Sequence, residues 1–124
     1  MGLRIRTKAR PVLVVDDDRA TRELEREILA ENGFRVVEAA DGEEALRAIR
    51  REAPACVVLD IQMPGVDGPA FALRLRSQLR HVPLVILTAS PHVRREADRC
   101  NAEAYLRKPF DAEEFVRLIR RFAA

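Results

Sequence analysis

Three short segments, residues 12–15, 56–59 and 84–87, are apolar at every position, rich in β-branched residues and bounded by Pro, Asp or Thr. A strand with one face in water alternates apolar and polar residues, so four successive apolar side chains mean that both faces are covered. Strands of that kind belong to parallel sheets with helices packed on each side. The intervening stretches carry helical patterns. Residues 19–32 place Ala20, Leu24 and Ile28 four apart, with Gly33 as a stop signal. Residues 43–52 turn Leu46 and Ile49 inward, and residues 69–79 align Phe71, Leu75 and Leu79 behind a first-turn Pro69. A fourth helix is expected to open on Ser90 as cap and Pro91 as first residue and to end near Asn101. The last, residues 111–122, is expected to bury Phe115, Leu118, Ile119 and Phe122, which recur at helical spacing. Weaker strands fall at 35–39 and 104–107. Strand and helix thus alternate five times, and right-handed crossovers turn that order into a doubly wound α/β sandwich.

At 124 residues the chain fits one domain, read as residues 11–124 behind a basic arm at 1–10. Its 48% apolar and 34% charged residues exclude a disordered or fibrous class. The longest apolar run, residues 55–59, is far short of the roughly 18 or more needed to cross a bilayer. No secretory h-region follows the first basic residues, so a cytoplasmic location is expected. Cys56 and Cys100 have no partner at metal-ligand spacing and read as buried thiols, while His81 and His92 read as surface residues. Acid collects in residues 11–67, with 14 acidic to 7 basic groups, whereas residues 68–124 carry 11 basic to 6 acidic.

In open parallel sheets ligands bind at the carboxyl ends of the strands, so the residues just after each apolar run matter most. The first run ends in Asp16, Asp17 and Asp18, the next in Asp60, the third in Thr88, and the last weak strand in Lys108-Pro109. Asp18 suits the cap of the first helix. Asp16, Asp17 and Asp60 together would repel one another unless a cation neutralised them, and Mg2+ suits an all-oxygen donor set. Lys108 is one of only two lysines against 20 arginines, a compact ammonium suited to approaching a phosphoryl group.

These residues resemble the receiver domains of two-component response regulators. The resemblance runs from Val12 to Phe122 and rests on Leu13-Val14-Val15-Asp16-Asp17-Asp18, on Asp60 with Met63-Pro64-Gly65-Val66-Asp67-Gly68, on Leu87-Thr88-Ala89, and on Ala104-Tyr105-Leu106-Arg107-Lys108-Pro109-Phe110. It implies a flavodoxin-like (βα)5 fold with strand order 2-1-3-4-5. It also implies phosphorylation of Asp60 by a histidine kinase or phosphotransfer protein, with Mg2+, or Mn2+ in its place, bound by Asp17 and Asp60 directly, by Asp16 through water and by the Gln62 backbone carbonyl. Thr88 and Lys108 would grip the phosphoryl oxygens, Tyr105 would be the switch aromatic, and the Lys108–Pro109 peptide would be cis. Gln62 and Ser90 would tune dephosphorylation. The signal would leave through the face of the fourth helix, fifth strand and fifth helix, to a downstream protein, an output domain or a second copy of the chain. Beyond its own phosphorylation and dephosphorylation no catalysis is implied, and neither nucleic-acid nor membrane binding.

Two other readings fit less well. A phosphatase with an aspartyl nucleophile, of the haloacid-dehalogenase kind, carries that nucleophile in its first strand with a second Asp two residues on, whereas Asp60 stands alone in the third. An Arg-rich nucleic-acid binder would need a reader motif that the five βα units leave no room for.

Overall fold

The computed structural model describes residues 9–61 and 67–123. Ten elements alternate: β1 (Val12–Val15), α1 (Arg19–Glu31), β2 (Val36–Ala39), α2 (Gly42–Arg51), β3 (Cys56–Asp60), α3 (Gly68–Gln78), β4 (Leu84–Thr88), α4 (Val93–Arg99), β5 (Ala104–Arg107) and α5 (Ala112–Phe122). The five strands form one parallel sheet in the order β2-β1-β3-β4-β5. This is the flavodoxin-like topology that the resemblance implies.

Successive side chains of a strand point to opposite faces, and the two cores divide accordingly. Leu13, Val15, Val57, Leu59, Leu84 and Ile86 pack with Leu46 and Ile49 of α2, Phe71 and Leu75 of α3 and Ala97 of α4. Val12, Val14, Val58, Val85 and Leu87 pack on the other face with Leu29 of α1 and Phe115 and Ile119 of α5. β1, β3 and β4 are buried at every position. Each fully buried Leu or Ile contributes roughly 1.5–3 kcal/mol. β5, at the sheet edge, alternates half-buried and exposed.

Aspartates cap four of the five helices. Asp18, Asp41, Asp67 and Asp111 accept from the backbone N–H of Thr21, Glu44, Ala70 and Glu114 at 3.0, 2.8, 3.1 and 2.7 Å. In a parallel α/β layer these N-termini lie at the carboxyl edge of the sheet, so the caps set the loops from which a site can be built.

Three helices depart in part from the sequence expectation. In α1 the expected inward stripe Ala20-Leu24-Ile28 holds only at Ile28, which is half-buried against the core: Ala20 and Leu24 are exposed, Leu24 at 57%, and Glu25 and Leu29 are buried. Hydrophobic periodicity misplaced the face because one buried position of the true stripe holds a charged residue. The fourth helix starts at Val93 rather than Pro91. Ser90 Oγ accepts from His92 N–H at 3.0 Å, a local turn that competes with helix formation, and His92 becomes a cap without a side-chain bond. In α5, Phe115 and Ile119 are buried with Val116, whereas Leu118 and Phe122 are only half-buried. Asn101 takes φ +53°, the left-handed conformation expected at the end of α4. Cys56 and Cys100 are free and buried, and His81 and His92 are exposed. No helix among the described residues is long and apolar enough to cross a membrane.

Candidate functional site

Four strand ends meet at one edge of the sheet. Parallel register places Asp60 beside Leu87 and Thr88 beside Arg107, and Lys108 N–H donates to the Thr88 carbonyl at 2.7 Å. The cis Lys108–Pro109 peptide follows.

Three carboxylates converge there. One oxygen each from Asp16, Asp17 and Asp60 lie within 4.8 Å of one another. Asp16 is fully buried, Asp60 nearly so, and Asp17 exposed. Asp16 Oδ1 accepts from Asp18 N–H at 2.9 Å, and the Arg22 guanidinium donates to the Asp16 carbonyl at 2.8 Å while pairing with Glu38 at 3.0 Å. These bonds fix the Asp16 backbone and leave Asp16 Oδ2 buried without a hydrogen-bond partner among the described residues. Lys108 Nζ is 3.2 Å from Asp60 Oδ2 and 3.6 Å from Asp16 Oδ2, the second a charge pair too long for a good hydrogen bond.

The electrostatics follow from burial and crowding. Burial pushes the Asp16 carboxyl above its ordinary range, the Asp18 N–H opposes, and the charges of Asp60 and Asp17 add to the rise. Burial pulls the Lys108 ammonium down, but Asp60, Asp16 and Glu25 outweigh it and hold the group above its usual value. Asp18 stands apart: its carboxylate is engaged by the hydroxyl and N–H of Thr21, which lower its pKa, so it serves α1 rather than the cluster.

With all three carboxylates ionised, three negative charges face one ammonium, an imbalance of two. An orphaned buried oxygen, an all-oxygen donor set and that charge deficit fit a hard divalent cation such as Mg2+. Thr88 is fully buried and its Oγ1 accepts from Ser90 N–H at 3.1 Å, which leaves the hydroxyl proton for an acceptor in the site. Tyr105 is 41% exposed on β5. Gln62 lies outside the described residues. Sequence reasoning missed Arg22 and Glu25. Their signal was present in the spacing 22, 25, 29, the stripe ending on the buried Leu29, but a charged residue in an inward position reads as a surface residue.

Comparison with known proteins bears on the family and the fold. The sequence profile of the response regulator receiver domain matches residues 12–120. The chain is 43% identical over 111 residues to the response regulator MprA of Mycobacterium leprae, covering 88% of this chain and 49% of that protein. It is 44% identical to the protein of the same name from Mycolicibacterium vanbaalenii, covering 88% and 48%. The chain therefore spans about half the length of these relatives. Among solved structures, the receiver domain of NtrX from Brucella abortus superposes with a TM-score of 0.83 at 32% identity, covering 90% of this chain and 97% of that one. The chemotaxis protein CheY4 of Vibrio cholerae gives 0.82 at 31%, covering 93% and 99%.

Proposed function

We propose, for a chain that belongs to the response regulator receiver family, that Asp60 is a phosphoacceptor in a cytoplasmic two-component relay. It takes a phosphoryl group from a histidine kinase or phosphotransfer protein, and the added group shifts the α4, β5 and α5 face to regulate a downstream protein or output domain. The observation that carries this reading is the cluster itself: three carboxylate oxygens within 4.8 Å of one another, with the Lys108 ammonium 3.2 Å from Asp60.

Asp16, Asp17 and Asp60 would hold Mg2+, which when bound neutralises the crowded carboxylates and the charge of the incoming phosphoryl group. The rest is done by side chains of the chain. An Asp60 oxygen forms a bond to phosphorus as the donor's P–N bond breaks, and the electron pair of that bond stays with the imidazole nitrogen. Such transfers need positioning and charge neutralisation more than covalent activation, and Lys108 supplies a fixed positive charge at the reacting oxygen. Afterwards the Lys108 ammonium and the Thr88 hydroxyl donate to phosphoryl oxygens. Charge-assisted bonds of roughly 1.5–3 kcal/mol each are of the size that shifts a two-state equilibrium 5- to 150-fold. Movement of Thr88 would draw Tyr105 inward and change the exposed face, on which two copies of the chain would also meet. Water attack on phosphorus returns the carboxylate and inorganic phosphate, at a rate that Gln62 and Ser90 tune.

Incubation of the chain with Mg2+ and a small acyl phosphate donor, read by intact mass, tests this. One phosphoryl group is expected, absent in Asp60→Asn and absent with a chelator. No addition, or addition that survives Asp60→Asn, overturns the reading.

A further inference from the structure

Asp16 lies just past the end of β1. Its N–H still donates to the Ala39 carbonyl of β2 at 3.1 Å, but its own carbonyl accepts from a side chain of α1, Arg22 Nη1, at 2.8 Å. The backbone of the same residue reaches the far side of the turn, where Arg22 N–H donates to the Asp18 carbonyl at 2.9 Å. Arg22 thus grips both neighbours of Asp17, the exposed carboxylate of the cluster. Its guanidinium also donates through Nε to Glu38 Oε1 at 3.0 Å, and Glu38 Oε2 pairs with Arg26 Nε at 3.0 Å. Glu38 stands opposite Val14 in the β1–β2 register and so faces α1, as Val36 does. Arg22 and Arg26 are one helical turn apart, a spacing at which like charges repel, and Glu38 offers one oxygen to each. Arg22 is the more enclosed cation, its side chain 15% exposed against 38% for Arg26. A planar guanidinium can serve a carbonyl and a carboxylate at once in fixed directions, which a single ammonium cannot.

We propose that Arg22 is a positioning residue for the metal site, a clamp on the Asp16-Asp17-Asp18 turn, and that Glu38 of β2 holds the clamp in place. This rests on the reading of Asp16, Asp17 and Asp60 as Mg2+ ligands and adds two residues to it. The turn is held at the Asp16 carbonyl by the Arg22 side chain and at the Asp18 carbonyl by its backbone, so the direction of the Asp17 carboxylate is set between two fixed points. Ligands fixed before an ion arrives lose less freedom when it binds. Arg22 does not touch the ion. Its positive charge opposes a divalent cation while its hydrogen bonds favour one, so the two effects differ in sign, and a substitution tells them apart.

The test is the Mg2+ affinity of the full chain by calorimetric titration, with the folding of each variant verified by its urea unfolding curve. Arg22→Gln removes both charge and clamp and is expected to weaken Mg2+ binding about tenfold or more, the size of effect when groups that orient metal ligands are lost. Arg22→Lys keeps the charge and one donor and should recover part of that loss. Glu38→Gln should weaken binding about threefold, at the low end of couplings within one ion-pair network, and should add nothing in the Arg22→Gln chain, because Glu38 acts through Arg22. A merely structural Arg22 would change the unfolding curve and leave the affinity of the folded chain unmoved. Unchanged or tighter Mg2+ binding by folded Arg22→Gln overturns the proposal, tighter binding meaning that only its charge is felt. Where Arg22→Gln does not fold, wild-type affinity in both Arg22→Lys and Glu38→Gln overturns it equally. A Glu38→Gln loss that persists in full beside Arg22→Gln overturns the role given to Glu38. Wild type that binds no Mg2+ overturns the metal reading itself, a different result from equal affinities.

Discussion

Replacing Glu25 with leucine should stabilise the protein, by an amount that depends on pH. In the unfolded chain this carboxyl titrates near 4.5, whereas burial raises it to about 8 in the fold. Between those values the unfolded state has lost the proton and the folded state keeps it, so stability declines as pH rises from about 4.5 toward 8 and is fully restored only below the lower value. At pH 7 about 2.5 pH units of that interval have been crossed, which at 1.36 kcal/mol per unit costs about 3 kcal/mol. A second cost, about 1–3 kcal/mol for a buried oxygen without a partner among the described residues, is independent of pH. Urea unfolding in metal-free buffer at pH 5, 6, 7 and 8 separates the two, provided the slope against urea is the same for both proteins. Glu25→Leu should exceed wild type at every pH, and the excess should grow by about 1.4 kcal/mol per unit before levelling near pH 8. An excess that does not change with pH would refute a buried, protonated Glu25.

Asp17→Asn should weaken Mg2+ binding at least about tenfold, the size of effect expected when one of few charged ligands is lost; calorimetric titration measures it, and unchanged affinity would place the metal elsewhere. A Cβ at Gly68 would lie 3.1 Å from Cys100 Sγ and 3.3 Å from Ile61 Cγ2. Gly68→Ala should therefore cost about 1 kcal/mol by urea unfolding, and Cys100→Ala in the same chain should return part of it. Asp41→Ala removes the cap of α2, whose carboxylate accepts from Glu44 N–H at 2.8 Å, and should lower stability by about 1 kcal/mol without affecting phosphorylation.

How much could be read from the sequence depended on whether each position obeyed the hydrophobic rule. β1, β3 and β4 were legible because strands covered on both faces are apolar throughout, and their ends then pointed to Asp16, Asp60 and Thr88. β5 was legible at both ends although it lies at the edge, since Ala104–Arg107 stands between a helix stop and Lys108-Pro109. α1 was legible as a helix and illegible as a face. Leu24 in water and Glu25 inside reverse the pattern on which periodicity depends, so the acid behind the site was invisible until the helix was seen on the sheet. The start of α4 was misread for a local reason, because the Ser90 hydroxyl serves the His92 N–H in a turn before the helix begins. Within the site, residue types at the strand ends were readable from spacing, but the division of labour was not. That Lys108 lies nearer Asp60 than Asp16, and that Arg22 holds the Asp16 carbonyl, are consequences of register and helix rotation.

The most direct test of the account is to find which residue carries the phosphoryl group. The chain is treated with Mg2+ and an acyl phosphate, the aspartyl phosphate is reduced with borohydride, and peptides are sequenced by mass. The expected result is reduction at residue 60 alone, converting that aspartate to homoserine, with Asp16 and Asp17 intact. Reduction at Asp16 or Asp17, or none in a folded chain with Mg2+ bound, would contradict it.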